Sequence, residues 1–288
     1  MPVMFQINGK IVPESEAYVP AMDRGFLFGD GVYEVIRTRG GKLFHPELHY
    51  ARLTQSAQRL RIPFPWSLEE LEKNIEATRE AAGTGEHYVR IILTRGTGLA
   101  PNIDPAHAPS APNIVLLVRP LELPSREQYE KGFSAWLVNT LRNHRQALDP
   151  AIKSGNYLNN IIALMEAKDH GADVALLLNS DGFLTEAPTS NVWIVKDGRT
   201  LTPPPEAGIL LGITRGLLLD MARREDLPVY EEAISRETLL EADEIFLTST
   251  LKDILAITAL NGNPVGDGKP GPVTKDLARR FHQFVEPD

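Results

Sequence analysis

"VALLLNSDGFLTEAPTSNVWIV", residues 174–195, decides how the second half of this chain folds. Apolar runs flank Asp181-Gly182, a pair suited to the positive backbone angles of a tight hairpin turn, and "NVWIV" follows with no helix between. A further turn signal at Asp197-Gly198 continues the pattern. Strands joined by tight turns are antiparallel neighbours. The flanking segments are helical. Residues 156–170 put Tyr157, Leu158, Ile161, Ile162 and Met165 on one face, with Gly171 suited to the C′ position, and "ITRGLLLDMARRE" follows the 3.6-residue period. Helices mixed with hairpins favour an α/β architecture of α+β character with a mixed sheet over a doubly wound parallel fold.

Towards the N-terminus the same signals recur. Short β-rich runs flank Asn8-Gly9, and "GVYEVIRTRGGKLFH" turns at Gly40-Gly41. Leu53, Ala57 and Leu60 share one face of a helix from Pro46 to Leu60, and Ser67 with Glu70 forms a capping box for a helix reaching Ala82. "HYVRIILT" and "NIVLLVRP" read as buried strands, "FSAWLVN" as a strand, and "EIFLTST" as a strand running into a polar turn. "PLELPSREQYEKG", residues 120–132, mixes proline with charge and has no apolar period, so it is expected to link a small domain (1–119) to a larger one (133–288).

Composition narrows the classes of function. The chain has 288 residues, 42% of them hydrophobic, enough for a substantial core. A net charge of −8 with no basic tail argues against nucleic-acid binding. The absence of cysteine removes both disulfides and a thiolate nucleophile and suits a reducing cytoplasm. No apolar run is long enough for a membrane span, the first residues lack a signal-peptide pattern, and no metal site is expected.

Several residues are candidates for chemistry. Lys153, in "DPAIKSGNYLNN", stands at a helix start with no carboxylate within three residues; a desolvated, neutral amine there can attack a carbonyl to form a Schiff base. The same lysine could simply lay its stem over apolar surface. "LLGITRG" puts Gly212, Ile213 and Thr214 at a helix start, where unpaired N–H groups favour an anion or make an ordinary cap. "FLTSTLKD" offers three hydroxyl residues after a strand, and Glu186 is a carboxylate for a protonated ring nitrogen or for water. Tyr88 and Arg90 share a face of an apolar strand, and the guanidinium needs either a structural acid or a substrate carboxylate. "FGDGVYE" lacks the dinucleotide-binding spacing and sits between predicted strands.

The ordered set "IKSGNYLNN", "LTEAPTSNVW", "GILLGITR" and "EIFLTST" resembles the class IV, fold type IV pyridoxal-phosphate aminotransferases, a group that spans branched-chain L-amino-acid and D-amino-acid aminotransferases and aminodeoxychorismate lyases. The resemblance runs from "DRGFLFGDGVYEVIR" to "GPVTK". It implies a small N-terminal α/β domain, a larger C-terminal mixed-sheet pseudo-barrel, and a homodimer. Its cofactor would be pyridoxal 5′-phosphate and its substrates amino and keto acids, with 2-oxoglutarate as acceptor in a ping-pong reaction. By position, Lys153 would hold the cofactor and move the proton at the substrate's α-carbon. Glu186 would pair with the ring nitrogen, Tyr157 with the phenolic oxygen, and Leu210 with the ring face. Arg52, Ile213, Thr214 and Thr250 would take the phosphate; Phe28, Tyr33, Tyr88, Arg90 and Leu251 would face the substrate. Tyr88-x-Arg90 matches branched-chain enzymes. Tyr33 and Val35 in "FGDGVYEV" look like the D-amino-acid enzymes, Phe28 replaces a tyrosine common in branched-chain enzymes, and "TRGTGLAPNID" lacks the Arg and His of the D-enzymes' carboxylate trap. "TSTLKD" departs from the Gly-Thr-Ala-Ala turn of branched-chain enzymes. The balance favours an aliphatic L-amino-acid donor over a D-amino acid or (R)-amine, over the lyase, and over a non-catalytic relative.

Overall fold

The computed structural model describes residues 2–108 and 111–285. Two compact units emerge, Met1–Glu122 with Ile152–Asn156, and Leu123–Ala151 with Tyr157–Asp288.

In the N-terminal unit, β1 (Met4–Ile7) and β2 (Lys10–Pro13) form a hairpin on Asn8 and Gly9, both at positive φ. A short helix, α1 (Arg24–Phe28), is capped by Asp23 and precedes β3 (Gly31–Arg39), which turns at Gly40-Gly41 into β4 (Lys42–Leu43). The "FGDG" glycines therefore follow a helix, not a strand. Gly29 ends α1 at φ 65°, and a Cβ on it would meet Asn156 Oδ1 at 2.5 Å. Next come α2 (Pro46–Arg59) and α3 (Leu68–Ala82), the latter opened by the Ser67/Glu70 capping box. β5 (His87–Thr94) and β6 (Asn113–Pro120) complete an antiparallel sheet in the order β2-β1-β6-β5-β3-β4.

Helices α2 and α3 cover one face of this sheet, packing Leu53, Ala57, Leu71 and Ile75 against Val32, Ile36, Val89, Ile91 and Leu93. Strand alternation and the register Val35↔Arg90 and Arg37↔Tyr88 put Tyr33, Val35, Tyr88 and Arg90 on the other face. Beyond its short pairing with β4, the edge of β3 is taken by Ile152–Asn156. Tyr33 N–H donates to Lys153 O at 2.9 Å, Gly155 N–H donates to Gly31 O at 3.1 Å, and Val32 bridges Ser154.

The C-terminal unit opens with α4 (Arg126–Lys131), which carries a capping box from Ser125 to Gln128. The stretch 120–132 is thus not a featureless linker. β6 ends at its first residue, and six residues of helix are too few to show a period. Then follow β7 (Phe133–Leu137), α5 (Leu158–Asp169), β8 (Val174–Leu176), β9 (Glu186–Ala187), β10 (Ser190–Lys196) and β11 (Arg199–Thr202). The chain ends with α6 (Ile213–Arg224), β12 (Val229–Glu231), α7 (Arg236–Leu240), β13 (Glu244–Ser249), β14 (Asp253–Leu260), β15 (Asn263–Pro264) and α8 (Pro272–Val285).

The sheet runs β12-β11-β10-β13-β14-β7-β8, parallel at β11–β12, β14–β7 and β7–β8 and antiparallel elsewhere along the path. Past β8, Leu177 N–H donates to Glu186 O and Thr185 N–H donates to Leu177 O, while Leu178 bridges Leu184. Since β9 pairs with β10, hydrogen bonding closes around β10-β13-β14-β7-β8-β9. Val192, Ile194, Ile245, Leu247 and Ile257 belong to the buried cluster of this sheet.

Helix α5 departs from the simplest reading of its sequence. Asn160, Ala163 and Ala167 are its buried residues, and the two alanines pack with Val138, Ala172, Ala175 and Leu177. The apolar stripe faces outward: Leu158 is 68% exposed, Ile161 50%, Ile162 47% and Met165 61%. Small residues bring the helix close to the sheet and leave its large residues outside. Among the described residues no helix is long and apolar enough to cross a membrane.

The start of α8 is capped from another element. Buried Glu244 of β13 accepts from Val273 N–H at 2.9 Å, Thr274 N–H at 2.7 Å and Thr274 Oγ1 at 2.6 Å, meeting donors that a helix leaves unpaired. Glu244→Ala is expected to cost about 0.5–2 kcal/mol, the range for a lost N-cap. A lower urea midpoint with an unchanged m-value is the expected reading.

Candidate active site

The N-terminal unit gathers one group of site residues. Backbone pairing to β3 fixes Lys153 from both sides of its Cα, because Lys153 N–H also donates to buried Ser56 Oγ at 3.2 Å. The side chain reaches Tyr33, with Nζ 3.3 Å from the phenolic oxygen and 4.4 Å from the ring centroid. Arg90 lies over the same ring at 4.0 Å. No Asp or Glu pairs with Arg90 among the described residues, so the structural-acid reading of that guanidinium finds no partner. Tyr88 packs under Arg119, and Phe28 lies under Arg24.

Arg52 is oriented by two residues that the sequence reading passed over. Glu34 points to the helix side of β3 and is wholly buried; its carboxylate takes Arg52 Nε at 2.6 Å and Nη2 at 2.9 Å. His49, also wholly buried, sits 2.8 Å away through Nδ1. Burial alone would raise the Glu34 carboxyl, but the Arg52 guanidinium and the His49 contact hold it well below the usual carboxylate range. Burial pushes His49 below the ordinary imidazole value, with help from Arg52 and Lys153 and against the pull of Glu34. A neutral imidazole beside an acceptor-only carboxylate must donate from Nδ1, which leaves Nε2 as a buried acceptor without a partner. A charge inside an apolar strand is the signal that singled out Arg90, and in "VYEVIR" it points equally to Glu34.

The C-terminal unit gathers a second group around Glu186. This carboxylate is 5% exposed, and its Oε1 is 2.9 Å from both Arg142 Nε and Arg142 Nη2. Its Oε2 accepts from Leu210 N–H at 2.9 Å and, more weakly, from Asn191 Nδ2 at 3.4 Å. Arg142 is held in turn by the side-chain oxygens of Asn159 and Asn160, in the first turn of α5 just after Tyr157. Arg142 lies in a loop without period or motif, so nothing local in the sequence marks it. Asn191 also donates to Leu210 O at 2.8 Å, and a Cβ on Gly212 would collide with its side-chain oxygen.

That glycine is the N-cap of α6 and makes no side-chain cap. The first helical residues, Ile213 and Thr214, therefore keep backbone donors available, and the Thr214 hydroxyl is buried without a hydrogen-bond partner. Thr250 and Leu251 sit in the turn after β13, next to Ser249, whose hydroxyl is likewise buried and unpartnered. Uncapped amides with an orphaned hydroxyl suit an anion rich in acceptor oxygens. The structure thus brings Lys153, Tyr33 and Arg90 together in one unit, and Glu186 and Leu210 in the other. The chain crosses between the units at Asn156–Tyr157.

The amino-transferase class IV family model matches residues 31–260. A putative branched-chain-amino-acid aminotransferase from Methanocaldococcus jannaschii is 36% identical over 275 residues, covering 96% of this chain and 94% of that protein. A D-alanine aminotransferase from Bacillus licheniformis is 35% identical over 285 residues, covering 99% and 97%. The crystal structure of the branched-chain amino acid aminotransferase from Thermobaculum terrenum, in its PLP holo-form, superposes with a TM-score of 0.86 at 28% identity, covering 99% of this chain and 94% of that one.

The buried Glu34–His49 pair makes acid the weak side of the N-terminal unit. Both groups have folded pKa values below their unfolded values of 4.5 and 6.5, so the folded chain binds fewer protons. Their stabilisation is complete above about pH 6.5, falls as the pH drops through 6.5, and falls faster below 4.5. Glu34→Gln is expected to cost about 3–5 kcal/mol at pH 7, by removing the carboxylate that balances the Arg52 guanidinium, and to flatten the loss below pH 4.5. Denaturant titrations from pH 4 to 8 read both effects.

Proposed function

The chain belongs to the class IV amino-transferase family, and we propose that it transfers the amino group of an aliphatic, branched-chain L-amino acid to 2-oxoglutarate in a ping-pong reaction. Pyridoxal 5′-phosphate is its cofactor; when bound, it supplies an aldehyde that condenses with amines and a ring that withdraws electrons from the substrate's α-carbon. The residues present suit this group. The Ile213 and Thr214 amides, the unpartnered Thr214 hydroxyl, Thr250 and Arg52 are donors for a phosphate, and Leu210 is an apolar neighbour for a ring. Glu186 would accept a hydrogen bond from a protonated ring nitrogen, with Arg142 fixing the carboxylate's orientation. Tyr157 would donate to the cofactor's phenolic oxygen.

Lys153 is the covalent anchor and then the base. Its Nζ takes the proton from the substrate's α-carbon as general base and gives it up again as general acid, and Tyr33, 3.3 Å from Nζ, restricts where the amine can swing. Arg90 carries the choice of substrate class. A guanidinium without an acidic partner, held on Tyr33 beside Lys153 and sharing its strand face with Tyr88, is suited to receive a carboxylate. In the loop after β5, Arg95 is committed to Asp30 and to the carbonyl of Leu60.

The D-alanine reading is the second one, favoured by the tyrosine at position 33 and by the Bacillus licheniformis relative. A homodimer accounts for the outward stripe Leu158, Ile161, Ile162 and Met165, which four exposed apolar side chains on one helix would otherwise leave in water. Cysteine-free composition supports a cytoplasmic setting.

Three measurements test this. Lys153→Ala is expected to abolish transfer and the visible absorbance of bound cofactor; retained transfer would remove the mechanism. With 2-oxoglutarate as acceptor, L-leucine, L-valine and L-isoleucine should react faster than D-alanine, and the reverse order would establish the second reading. Ile161→Glu with Met165→Glu should shift the light-scattering mass from dimer to monomer.

A further inference from the structure

Helix α2 turns three polar side chains toward β3 and the lysine segment: His49, Arg52 and Ser56, spaced so that they stack on one helix face beside Leu53 and Ala57. Two of them have evident tasks. Ser56 receives the backbone N–H of Lys153, and Arg52 is gripped along one edge by Glu34. His49 is the third, and neither the chemistry nor the apolar cluster around it calls for an imidazole.

The ring is wholly enclosed, with Nδ1 2.8 Å from Glu34 Oε2 and Nε2 buried without a hydrogen-bond partner. An unsatisfied buried nitrogen is costly, and a leucine would fill the same place beside Leu53 without that cost. What the histidine adds is one donor, Nδ1–H. Glu34 Oε2 collects it together with Arg52 Nη2 at 2.9 Å and Val35 N–H at 3.2 Å, while Oε1 takes Arg52 Nε at 2.6 Å. Donors from the strand's own backbone and from two levels of α2 thus converge on one oxygen, which fixes the carboxylate plane and, with it, the plane of the guanidinium. Burial, with Arg52 and Lys153 nearby, keeps the ring below the ordinary imidazole value, so it serves as a neutral donor. A lysine or arginine in its place would add a second buried positive charge. With the imidazole neutral, Arg52 and Glu34 balance each other, and the cluster stands assembled before any anion arrives.

We propose that His49 is a positioning residue for the cofactor's phosphate: its Nδ1–H locks Glu34, and through Glu34 it holds the Arg52 guanidinium in the orientation that receives the anion. This rests on the assignment of Arg52 to the phosphate and deepens it. The histidine touches neither phosphate nor substrate; it acts at one remove, and only on the end of the cofactor that carries the charge.

The test compares the wild-type chain with H49L, H49Q and H49N. The amide nitrogen of asparagine falls where Nδ1–H stood, that of glutamine where Nε2 stood, and leucine carries no donor. H49L and H49Q are expected to raise Kd for pyridoxal 5′-phosphate and for inorganic phosphate at least tenfold, while Kd for pyridoxal, which lacks the phosphate, changes less than twofold. H49N should stay within threefold of wild type for all three. Thermal midpoints verify that each variant folds. In the wild-type holoenzyme, proton–nitrogen correlation spectra of the imidazoles should show His49 protonated at Nδ1 and bare at Nε2 at neutral pH, a result that no variant's folding can spoil. A proton on Nε2 overturns the proposal. So do affinities for both phosphates within twofold of wild type in H49L and H49Q, which leave the aminotransferase reading standing. An equal loss for pyridoxal and its phosphate overturns it in favour of a packing role. If the wild type binds inorganic phosphate but not pyridoxal 5′-phosphate, the aminotransferase reading falls, and the inorganic-phosphate series still decides the role of His49.

Discussion

A carboxylate cannot be buried without donors, and each unit of this protein is arranged around one that is. Glu186 has the wider reach. Its backbone carbonyl helps close the ring of strands, while its side chain recruits Arg142 from the loop after β7, Leu210 from the approach to α6 and Asn191 from β10. Arg142 in turn holds the first turn of α5. Four separate chain segments are thereby fixed by one side chain. Glu34 does the same on a smaller scale, setting the guanidinium of Arg52 and the tautomer of His49.

Alternation along β3 and β5 turns these local arrangements into a division of labour. Even positions of β3 face the helices, where Glu34 meets α2, and odd positions carry Tyr33 to the opposite face beside Arg90. One strand thus orients the Arg52 guanidinium through one face and places the lysine's neighbour on the other. A one-residue slip would exchange the two sets, so the register of this strand is itself a functional constraint.

Much of the fold was legible because its signals are local. Asn8-Gly9, the Ser67/Glu70 box and the strands "HYVRIILT" and "NIVLLVRP" depend on turn geometry, capping and hydrophobic runs. The orientation of α5 was not legible, because an apolar stripe shows which residues avoid water but not what covers them. Strand β14 and helix α8 were left unread despite clear apolar content, and α4 is too short for its period to register. At the site, Lys153, Glu186 and Thr214 stood out through ordered motifs, whereas Arg142 and His49 become visible only when distant segments meet.

The five residues Ile152–Asn156 have a second consequence, for the integrity of the N-terminal sheet. Without them, β3 would present bare amide and carbonyl groups at Gly31 and Tyr33 along an otherwise open edge, a template on which another chain could add a strand. The segment that delivers Lys153 also plugs that edge. It comes from far along the sequence, so a nascent or truncated chain ending before residue 152 leaves the Gly31 and Tyr33 edge unpaired. Misassembly through this strand is the hazard that the lysine segment, once docked, removes.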